Sequence, residues 1–469
     1  MNDTELEAWL ASRLRAAPTP EPPPNLQAAV QADRIRTSVQ PESAGRGRRW
    51  WAARPRRALG GMVALGFTAV LAVGLLAVVV IRPTQTAGPA SSGIAWQPRV
   101  HLAAPGTLFG PYLASVGGRL YMVSTSSAAD GTESTVVRSS GDGKTWEQIS
   151  EPGAFENDGP RFFAQGISDD GRGGLIVVGG LPGGAAETIV PAAWHSADGR
   201  TWTRAQVGTP ALARISAVAA RPGTIVAIGD GRVGGGSGSS ATDQSVNEMY
   251  AWFSADGNAW SQVALPESSG FIPAAVTSWS GGFAAIGQLD GITLSSSVWT
   301  SADGRTWQKA PQDFGRFTPT AMVGFGGRVV AVGNHQDAQS SAAGFVPASW
   351  SSTDGRTWVE SRASARQIAT GFGDVTVVGD ELVAIGANYM GQDLLVAAQQ
   401  PGSAPTPTPT TPPVPAANVW VSSDGLSWRL LPEDPSLVVG SNLNTHVASL
   451  GTRVVVATYG EVYFGDLTP

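Results

Sequence analysis

Four arginines have a shared position that suggests chemistry, since each stands just before a short apolar segment with the pattern of a strand. They are Arg161, Arg214, Arg316 and Arg366. A guanidinium group offers several N–H donors in a planar fork that matches a carboxylate or a phosphate. Guanidinium groups that converge on one opening would therefore bind an anion. The sequence predicts an anion-binding rim formed by these residues, and solvated loop arginines are the alternative.

The other candidate groups are carboxylates and histidines. Acidic residues in the same predicted loops would balance the charge of the arginines, and they are Glu151, Glu156, Asp158 and Asp313. The four histidines are too dispersed in the sequence to form a metal site by spacing. His335 lies in a predicted variable loop and is a further candidate ligand contact, whereas His195 is expected to be structural. The chain has no cysteine, which excludes a thiolate zinc site, and we expect no cofactor.

A pattern of seven residues, Ser-x-Asp-Gly-x-x-Trp, occurs six times and organises the rest of the chain. Its aspartate and tryptophan pairs are Asp142 and Trp146, Asp198 and Trp202, Asp256 and Trp260, Asp303 and Trp307, Asp354 and Trp358, and Asp424 and Trp428. Asp-Gly favours a tight hairpin turn, because glycine accepts a positive φ. The serine and aspartate side chains accept hydrogen bonds from turn amides. The pattern recurs at intervals of 47 to 70 residues, which is typical of stacked-repeat folds.

The segments between these patterns predict the number of repeats. Seven very apolar segments bounded by turn residues indicate second strands that are buried on both faces. Five copies carry another tryptophan in the predicted third strand, and these are Trp194, Trp252, Trp299, Trp350 and Trp420. The first copy has Arg138 there. Gly93–Trp96 matches the Gly-x-x-Trp end of the pattern, so we predict that it supplies the fourth strand of a seventh unit and closes a ring.

The repeated pattern resembles the Asp-box, or BNR, repeat of β-propellers, which is written Ser-x-Asp-x-Gly-x-Thr-Trp. This chain has one residue fewer between the aspartate and the glycine in every copy. The resemblance covers roughly residues 93–469 and implies an all-β, seven-bladed β-propeller in which the six patterns are structural turns. Propellers with this repeat include sialidases, other glycosidases, photosystem II assembly factors and sorting receptors, so the resemblance predicts the fold more sharply than the function.

Resemblance to sialidases gives the enzymatic alternative. Those enzymes hold a substrate carboxylate with three arginines and use a Tyr–Glu pair as nucleophile. Here the only candidate pair is Tyr250 with Glu248, the family's Phe-Arg-Ile-Pro signature is absent, and seven blades are expected where sialidases have six. We therefore expect a binding, sensing or scaffold module without catalysis, and a sialidase-like or other glycoside hydrolase is the alternative.

The N-terminal region predicts a membrane anchor. Residues 1–58 contain two short helical patterns and a basic flank, residues 59–81 form an uncharged run of 23 residues, and residues 82–92 form a polar linker. Such a run is long enough to cross a bilayer as one helix, and the basic flank places residues 1–58 in the cytoplasm. The domain of residues 93–469 is then expected outside the cell membrane. The N-terminal layout also resembles that of anti-sigma regulators, which makes a regulator with a propeller sensor the second alternative.

Charge limits the classes of partner. Residues 1–82 carry 11 Arg and 6 Asp or Glu, a net charge of +5, so the net charge of −6 for the whole chain leaves −11 for residues 83–469. An acidic propeller argues against nucleic-acid binding. The predicted partners are the membrane, a glycan, an anionic ligand or an envelope protein outside the cell, and a protein in the cytoplasm.

Overall fold

The computed structural model describes residues 93–102, 107–127, 133–151, 153–155, 162–183, 189–208, 213–233, 246–290, 295–336, 345–366, 370–386, 417–439, 445–458 and 460–468. In these ranges the secondary structure consists of thirty strands, without a helix. The predicted cytoplasmic segment, the run at residues 59–81 and the linker lie outside the described residues. None of the described elements is a helix that is long and apolar enough to cross a membrane.

The strands form seven sheets, which we number as blades in chain order. The chain begins with β1 (Gly93–Trp96) and β2 (Val100–His101), which belong to the last blade. Blade 1 consists of β3 (Thr107–Val116), β4 (Arg119–Ser127), β5 (Glu133–Ser140) and β6 (Glu147–Gln148). Blade 2 consists of β7 (Phe163–Asp169), β8 (Leu175–Pro182), β9 (Ile189–Ser196) and β10 (Thr203–Arg204). Blade 3 consists of β11 (Gln206–Val207), β12 (Ala213–Arg221), β13 (Thr224–Val233), β14 (Val246–Ser254) and β15 (Ala259–Ala264).

The remaining blades repeat this arrangement. Blade 4 consists of β16 (Phe271–Trp279), β17 (Gly282–Leu289), β18 (Ser296–Ser301) and β19 (Gln308–Lys309). Blade 5 consists of β20 (Phe317–Phe325), β21 (Arg328–Gln336), β22 (Phe345–Ser352) and β23 (Val359–Arg362). Blade 6 consists of β24 (Asp374–Val378), β25 (Glu381–Gly386), β26 (Asn418–Ser422) and β27 (Arg429–Leu430). Blade 7 consists of β28 (His446–Leu450), β29 (Arg453–Ala457) and β30 (Glu461–Thr468), completed by β1 and β2.

The blades are arranged in a closed ring. The first to fourth strands of each blade pair antiparallel in order, and β11 pairs parallel with β15. The first strands contact one another in the order β3, β7, β12, β16, β20, β24, β28 and again β3. The first strands therefore surround the centre of the ring, and the short fourth strands lie at its outside. This arrangement is a seven-bladed β-propeller, so the predicted all-β fold class is confirmed for the described residues.

The N-terminal strand closes the ring. β1 pairs antiparallel with β30, with Gly93 opposite Thr468 and Trp96 opposite Gly465. The hydroxyl of Thr468 donates to the carbonyl of Gly93 at 3.0 Å. The predicted closure by Gly93–Trp96 is therefore confirmed, and the last sheet has no unpaired edge on the side of β30.

The core lies in the seams between neighbouring blades. The second strands are buried on both faces, and their alternate side chains pack into the two adjacent seams: Val177 faces the seam with blade 1, and Val178 faces the seam with blade 3. Both side chains are fully buried. This two-sided burial explains why the second strands read as continuous apolar runs in the sequence.

A large side chain near the middle of the third strand anchors each seam. Five of these anchors are the predicted tryptophans, blade 7 uses Tyr463, and blade 1 has Arg138. Four anchors donate a hydrogen bond to a carbonyl in the segment that enters the blade: Trp252 to Gly208 at 2.9 Å, Trp299 to Pro266 at 2.7 Å, Trp420 to Ser364 at 2.7 Å and Tyr463 to Val438 at 2.6 Å. The anchor thus fixes the connection between two blades as well as filling the seam.

Candidate functional site

The six repeated patterns, which we call the box turns, are built alike. In the turn at Asp303, Oδ1 of the aspartate accepts hydrogen bonds from the amides of Arg305 at 2.8 Å and Thr306 at 2.9 Å. The amide of Gly304 donates to the hydroxyl of Ser301 at 2.8 Å. The glycines of the box turns have φ between 72° and 81°, which a residue with a Cβ adopts at a cost. The serine, aspartate and glycine therefore have the structural uses expected from their types.

The hydrogen bonds of the box turns stabilise the ionised aspartates. The donated amides of Thr145 and Thr357 are the main cause that lowers the pKa of Asp142 and of Asp354 to about 2. The pKa values of Asp198, Asp256 and Asp303 are lowered for the same reason. At Asp424 burial raises the pKa, and the hydrogen bonds from Ser427 and Leu426 outweigh it. Each carboxylate is thus bonded within its own turn, which favours a structural role.

The box turns lie at the end of the ring opposite the starts of the first strands. They share this end with the turns between first and second strands, because Arg328 donates to the carbonyl of Asp424 and Arg453 donates to that of Asp142. The starts of the first strands and the connections from second to third strands lie at the other end, which we call the loop end. Residues 231–247, rich in Gly and Ser, and residues 401–416, rich in Pro and Thr, fall mostly outside the described residues.

Two of the predicted rim arginines are bonded to the second strand of their own blade. Arg214 is in β12, and its Nε donates to Oδ1 of Asp230 at 2.9 Å. Arg316 precedes β20, and its Nη2 donates to Oε1 of Gln336 at 2.8 Å. The side chain of Arg214 is 51% exposed. The guanidinium group of Arg214 is therefore held on blade 3, and that of Arg316 is held on blade 5.

The third arginine is turned toward the outside of its blade. Arg366 lies well before β24, and its Nη1 donates to Oδ1 of Asn418 at 3.3 Å while its Nη2 donates to the carbonyl of Leu431. Arg161 lies outside the described residues. Since the three described arginines share no partner in the described part of the chain, the anion-binding rim stays a prediction without a common pocket.

The imidazole of His335 contacts side chains of the fourth strand of blade 5. Its Nδ1 lies 3.0 Å from Oε1 of Glu360, and its Nε2 lies 3.0 Å from Nη2 of Arg362. The side chain of His335 is only 16% exposed. These contacts hold the ring within the blade, and the predicted ligand contact at this residue stays a prediction.

A polar arc lines one side of the central tunnel, and it involves residues that the sequence did not single out. At one level of the ring, set by the pairing of first and second strands, blades 2 to 5 carry only small residues: Gly166, Ala217, Ala275 and Ala321. At the same level blades 6, 7 and 1 carry Asp374, His446 and Tyr112. Three consecutive blades thus replace small residues by a carboxylate, an imidazole and a phenol.

The members of this polar arc contact one another from blade to blade. Nδ1 of His446 lies 3.3 Å from Oδ2 of Asp374. The ring centroids of His446 and Tyr112 are 4.9 Å apart, and the hydroxyl of Tyr112 donates to Oε1 of Gln165 in blade 2 at 3.4 Å. The arc therefore runs through four blades, from Asp374 to Gln165.

The backbone fixes the carboxylate end of the polar arc. Oδ2 of Asp374 accepts a hydrogen bond from the amide of Val447 at 2.9 Å, and Oδ1 accepts one from the amide of Val375 at 2.8 Å. The carboxylate is therefore fully used in positioning and in holding the imidazole. The side chain of His446 is 27% exposed, so its ring remains accessible. A carboxylate that orients a histidine is a common arrangement for binding and for proton transfer.

The Tyr–Glu pair of the hydrolase alternative is formed. Tyr250 and Glu248 are two residues apart in β14 and share a face, and the tyrosine hydroxyl donates to Oε2 of Glu248 at 2.7 Å. Burial and the glutamate together raise the pKa of Tyr250 to about 12. The pair lies on the third strand of blade 3, two strands further from the tunnel than Arg214 in the first strand.

His195 has a structural position. Its Nε2 lies 3.1 Å from Oδ2 of Asp170, which is buried in the turn between β7 and β8. Burial raises the pKa of Asp170, and the hydrogen bonds from Arg172, His195 and Gly174 outweigh it and leave the pKa lowered. The described residues contain no group of three or more histidines and acids that could hold a metal ion.

Comparison with known proteins finds only distant structural similarities. No protein-family model matches the chain, and no curated protein sequence matches it. Among solved structures, an α-L-arabinofuranosidase of Fusarium graminearum, Arb93A, in complex with an iminosugar inhibitor is similar, at 14% identity and a TM-score of 0.39, over 63% of this chain and 93% of the other.

Two further solved structures are similar over more of the chain. YCF48 bound to a D1 peptide is 14% identical, with a TM-score of 0.43, over 81% of this chain and 98% of the other. The β-propeller domain of the Trilobed protease of Pyrococcus furiosus is 8% identical, with a TM-score of 0.40, over 81% of this chain and 97% of the other. At these identities the similarities concern the fold of the described ring, and they leave its function open.

Proposed function

We propose that this chain is a membrane-anchored, extracytoplasmic β-propeller that binds a ligand at the polar arc and acts as a sensing or scaffold module, without catalysis. The observation that carries the proposal is the asymmetry of the tunnel wall. At the level where the arc presents its polar groups, blades 2 to 5 carry Gly166, Ala217, Ala275 and Ala321 instead. A concave site with few convergent polar groups is the usual form of a ligand site.

The anchor and the orientation rest on the sequence. The uncharged run at residues 59–81 and the basic flank before it support a single helix with the propeller outside the cell membrane. The box turns support kinship with Asp-box propellers, since each has the serine, aspartate, glycine and tryptophan of that repeat. Their carboxylates are hydrogen-bonded within the turns, so we expect a ligand to bind away from the box-turn end of the ring.

Binding at the polar arc is tested on the full chain in detergent, with an immobilised array of glycans and small anions as the probe. The variant His446→Ala removes the accessible imidazole, and His195→Ala is the matched control because that ring is held by Asp170 in the turn between β7 and β8. We expect the native protein and His195→Ala to retain the same array spots and His446→Ala to lose them. Equal retention by both variants would move the ligand site away from the arc.

The second candidate is a glycoside hydrolase, which the hydrogen bond between Tyr250 and Glu248 favours specifically. A tyrosine nucleophile must lose its proton to attack, and the raised pKa of Tyr250 opposes this. The described arginines also lie on separate blades without a common pocket. Fluorogenic glycosides of several sugars decide the question: turnover that disappears in Tyr250→Phe would establish the hydrolase, and we expect no turnover.

A further inference from the structure

One seam of the ring lacks a box turn. The glycine of each box turn packs on the preceding blade, and in several turns on its second strand, as Gly304 does on Val226 and Gly425 does on Val330; a Cβ at either glycine would come within 2.5 Å of these side chains. Gly143 packs on Val455 of blade 7 in the same way. The six box turns thus serve six seams, and the seam between blades 6 and 7 has β1 in the corresponding place.

Trp96 stands where the tryptophan of a box turn would be. It is opposite Gly465, two residues after the anchor Tyr463, just as the box tryptophans lie opposite a residue two positions after the third-strand anchor. Trp307 and Trp358 are 6% and 4% exposed and donate to the glycine carbonyl of their own turn. Trp96 is half-buried, as are Trp146 and Trp428 of two box turns.

A cavity of about 130 Å³ occupies this seam. Ile94 and Trp96 of β1 line one side, and Val419 and Leu431 of blade 6 line the other. The lining also contains two acidic residues, which are Glu433 and Asp434, and no basic one. Oδ1 of Asp434 accepts hydrogen bonds from Ser436, and Glu433 is exposed. The cavity therefore combines an indole, an apolar wall and two carboxylates.

These surroundings select a cation on a short apolar chain. An indole attracts an ammonium group, carboxylates form charge-assisted hydrogen bonds with it, and the aliphatic side chains gain from covering methylene groups. A cavity of roughly 150 Å³ admits one benzene-sized molecule, so the volume here admits about five heavy atoms. We propose that the cavity binds a primary alkylammonium group of the size of butylammonium. This site is separate from the polar arc and does not depend on the function proposed for it.

The site is complete only while β1 is paired with β30, because three of its lining residues, Gly93, Ile94 and Trp96, belong to β1. A ligand that binds the closed ring and not the open one stabilises closure by mass action. The alkylammonium group therefore acts on the same seam that lacks a box turn. The source of the group is either a free amine or a lysine side chain of a protein.

The experiment compares two probes of equal size on the full chain in detergent. Binding of n-butylammonium and of butan-1-ol is measured by ligand-detected NMR for the native protein and for the double variant Glu433→Gln/Asp434→Asn. The control double variant Glu147→Gln/Glu267→Gln removes the same charge at exposed positions outside the cavity. We expect butylammonium to bind about tenfold more tightly than butanol in the native protein and the control, and this preference to disappear in Glu433→Gln/Asp434→Asn.

Three results would overturn the proposal: equal binding of both probes to the native protein, binding of neither, or a preference that survives in Glu433→Gln/Asp434→Asn. Circular dichroism of each variant confirms that the ring is folded. A parallel titration with N-acetyl-lysine methylamide identifies the source of the group. Tighter binding than that of butylammonium assigns the site to a lysine side chain, and weaker binding assigns it to a free amine.

Discussion

Removal of one box carboxylate should weaken the propeller by a small, calculable amount. Oδ1 of Asp303 accepts hydrogen bonds from two turn amides and from the hydroxyl of Ser301. The amides of Arg305 and Thr306 are in exposed residues and can bond to water instead. Each lost bond then costs toward the lower end of roughly 0.5–1.5 kcal/mol. Asp303→Ala should therefore lower the free energy of unfolding by about 2 kcal/mol.

The shift in melting temperature follows from the size of the domain. With about 2 cal/mol/K of unfolding entropy per residue over residues 93–469, a loss of this size lowers Tm by roughly 2–3 °C if the ring unfolds as one unit. Differential scanning calorimetry of the full chain resolves such a shift. Glu147→Ala is the control, because this exposed acid lies in a fourth strand outside the box turns. An unchanged Tm for Asp303→Ala, or a shift equal to that of the control, would refute the assignment of the turn bonds as stabilising.

The same pair of proteins has a defined dependence on pH. The pKa of Asp303 is lowered in the folded state, chiefly by the hydrogen bond from Thr306. A group with a lowered folded pKa stabilises the folded state above its unfolded pKa, near 4, and this contribution is lost as the pH falls through the folded pKa. The difference in Tm between native protein and Asp303→Ala should therefore be complete above about pH 5 and shrink toward pH 2. A difference that grows on acidification would contradict this reasoning.

Three further predictions concern closure, topology and the polar arc. Deletion of residues 93–96 removes β1 and should abolish the cooperative melt or cause aggregation, whereas an unchanged calorimetric transition would show that β1 is dispensable. A reporter enzyme fused after residue 469 should be active only outside the cytoplasm, and cytoplasmic activity would reverse the proposed orientation. Asp374→Asn should weaken array binding several-fold and lower Tm by no more than a few degrees, because the amide oxygen still accepts from Val447 and only the amide of Val375 loses its acceptor. Unchanged binding in Asp374→Asn would separate the carboxylate from the ligand site.

Much of the fold could be predicted because its signals are local. Asp-Gly and the following tryptophan predict the conformation of each box turn. The continuous apolar runs predict second strands that are buried in two seams. The match of Gly93–Trp96 to the end of a box turn was enough to predict the closing strand. Even the pair of Tyr250 and Glu248 follows from the alternation of side chains along a strand.

The tunnel site could not be predicted from the same signals. Asp374, His446 and Tyr112 come together only when the first strands of three blades are placed in register, and extra residues in the first strands of blades 1 to 5 shift this register. A usable signal exists: once the blades are aligned on the third-strand anchor, the Gly or Ala of four blades contrasts with the polar residue of the other three. A position before a strand does not fix where a long side chain ends, so the arginine rim stays a prediction.

The packing of the box turns gives the ring a direction. Gly304 of blade 4 rests on Val226 of blade 3, and the same dependence runs from each blade to the one before it. A mutation in one box turn should therefore destabilise the preceding blade more than the blade that carries the mutation. Amide hydrogen exchange in Asp303→Ala should accelerate in β13 more than in β18. A blade transplanted into another propeller would need the box turn of the next blade to cover its second strand.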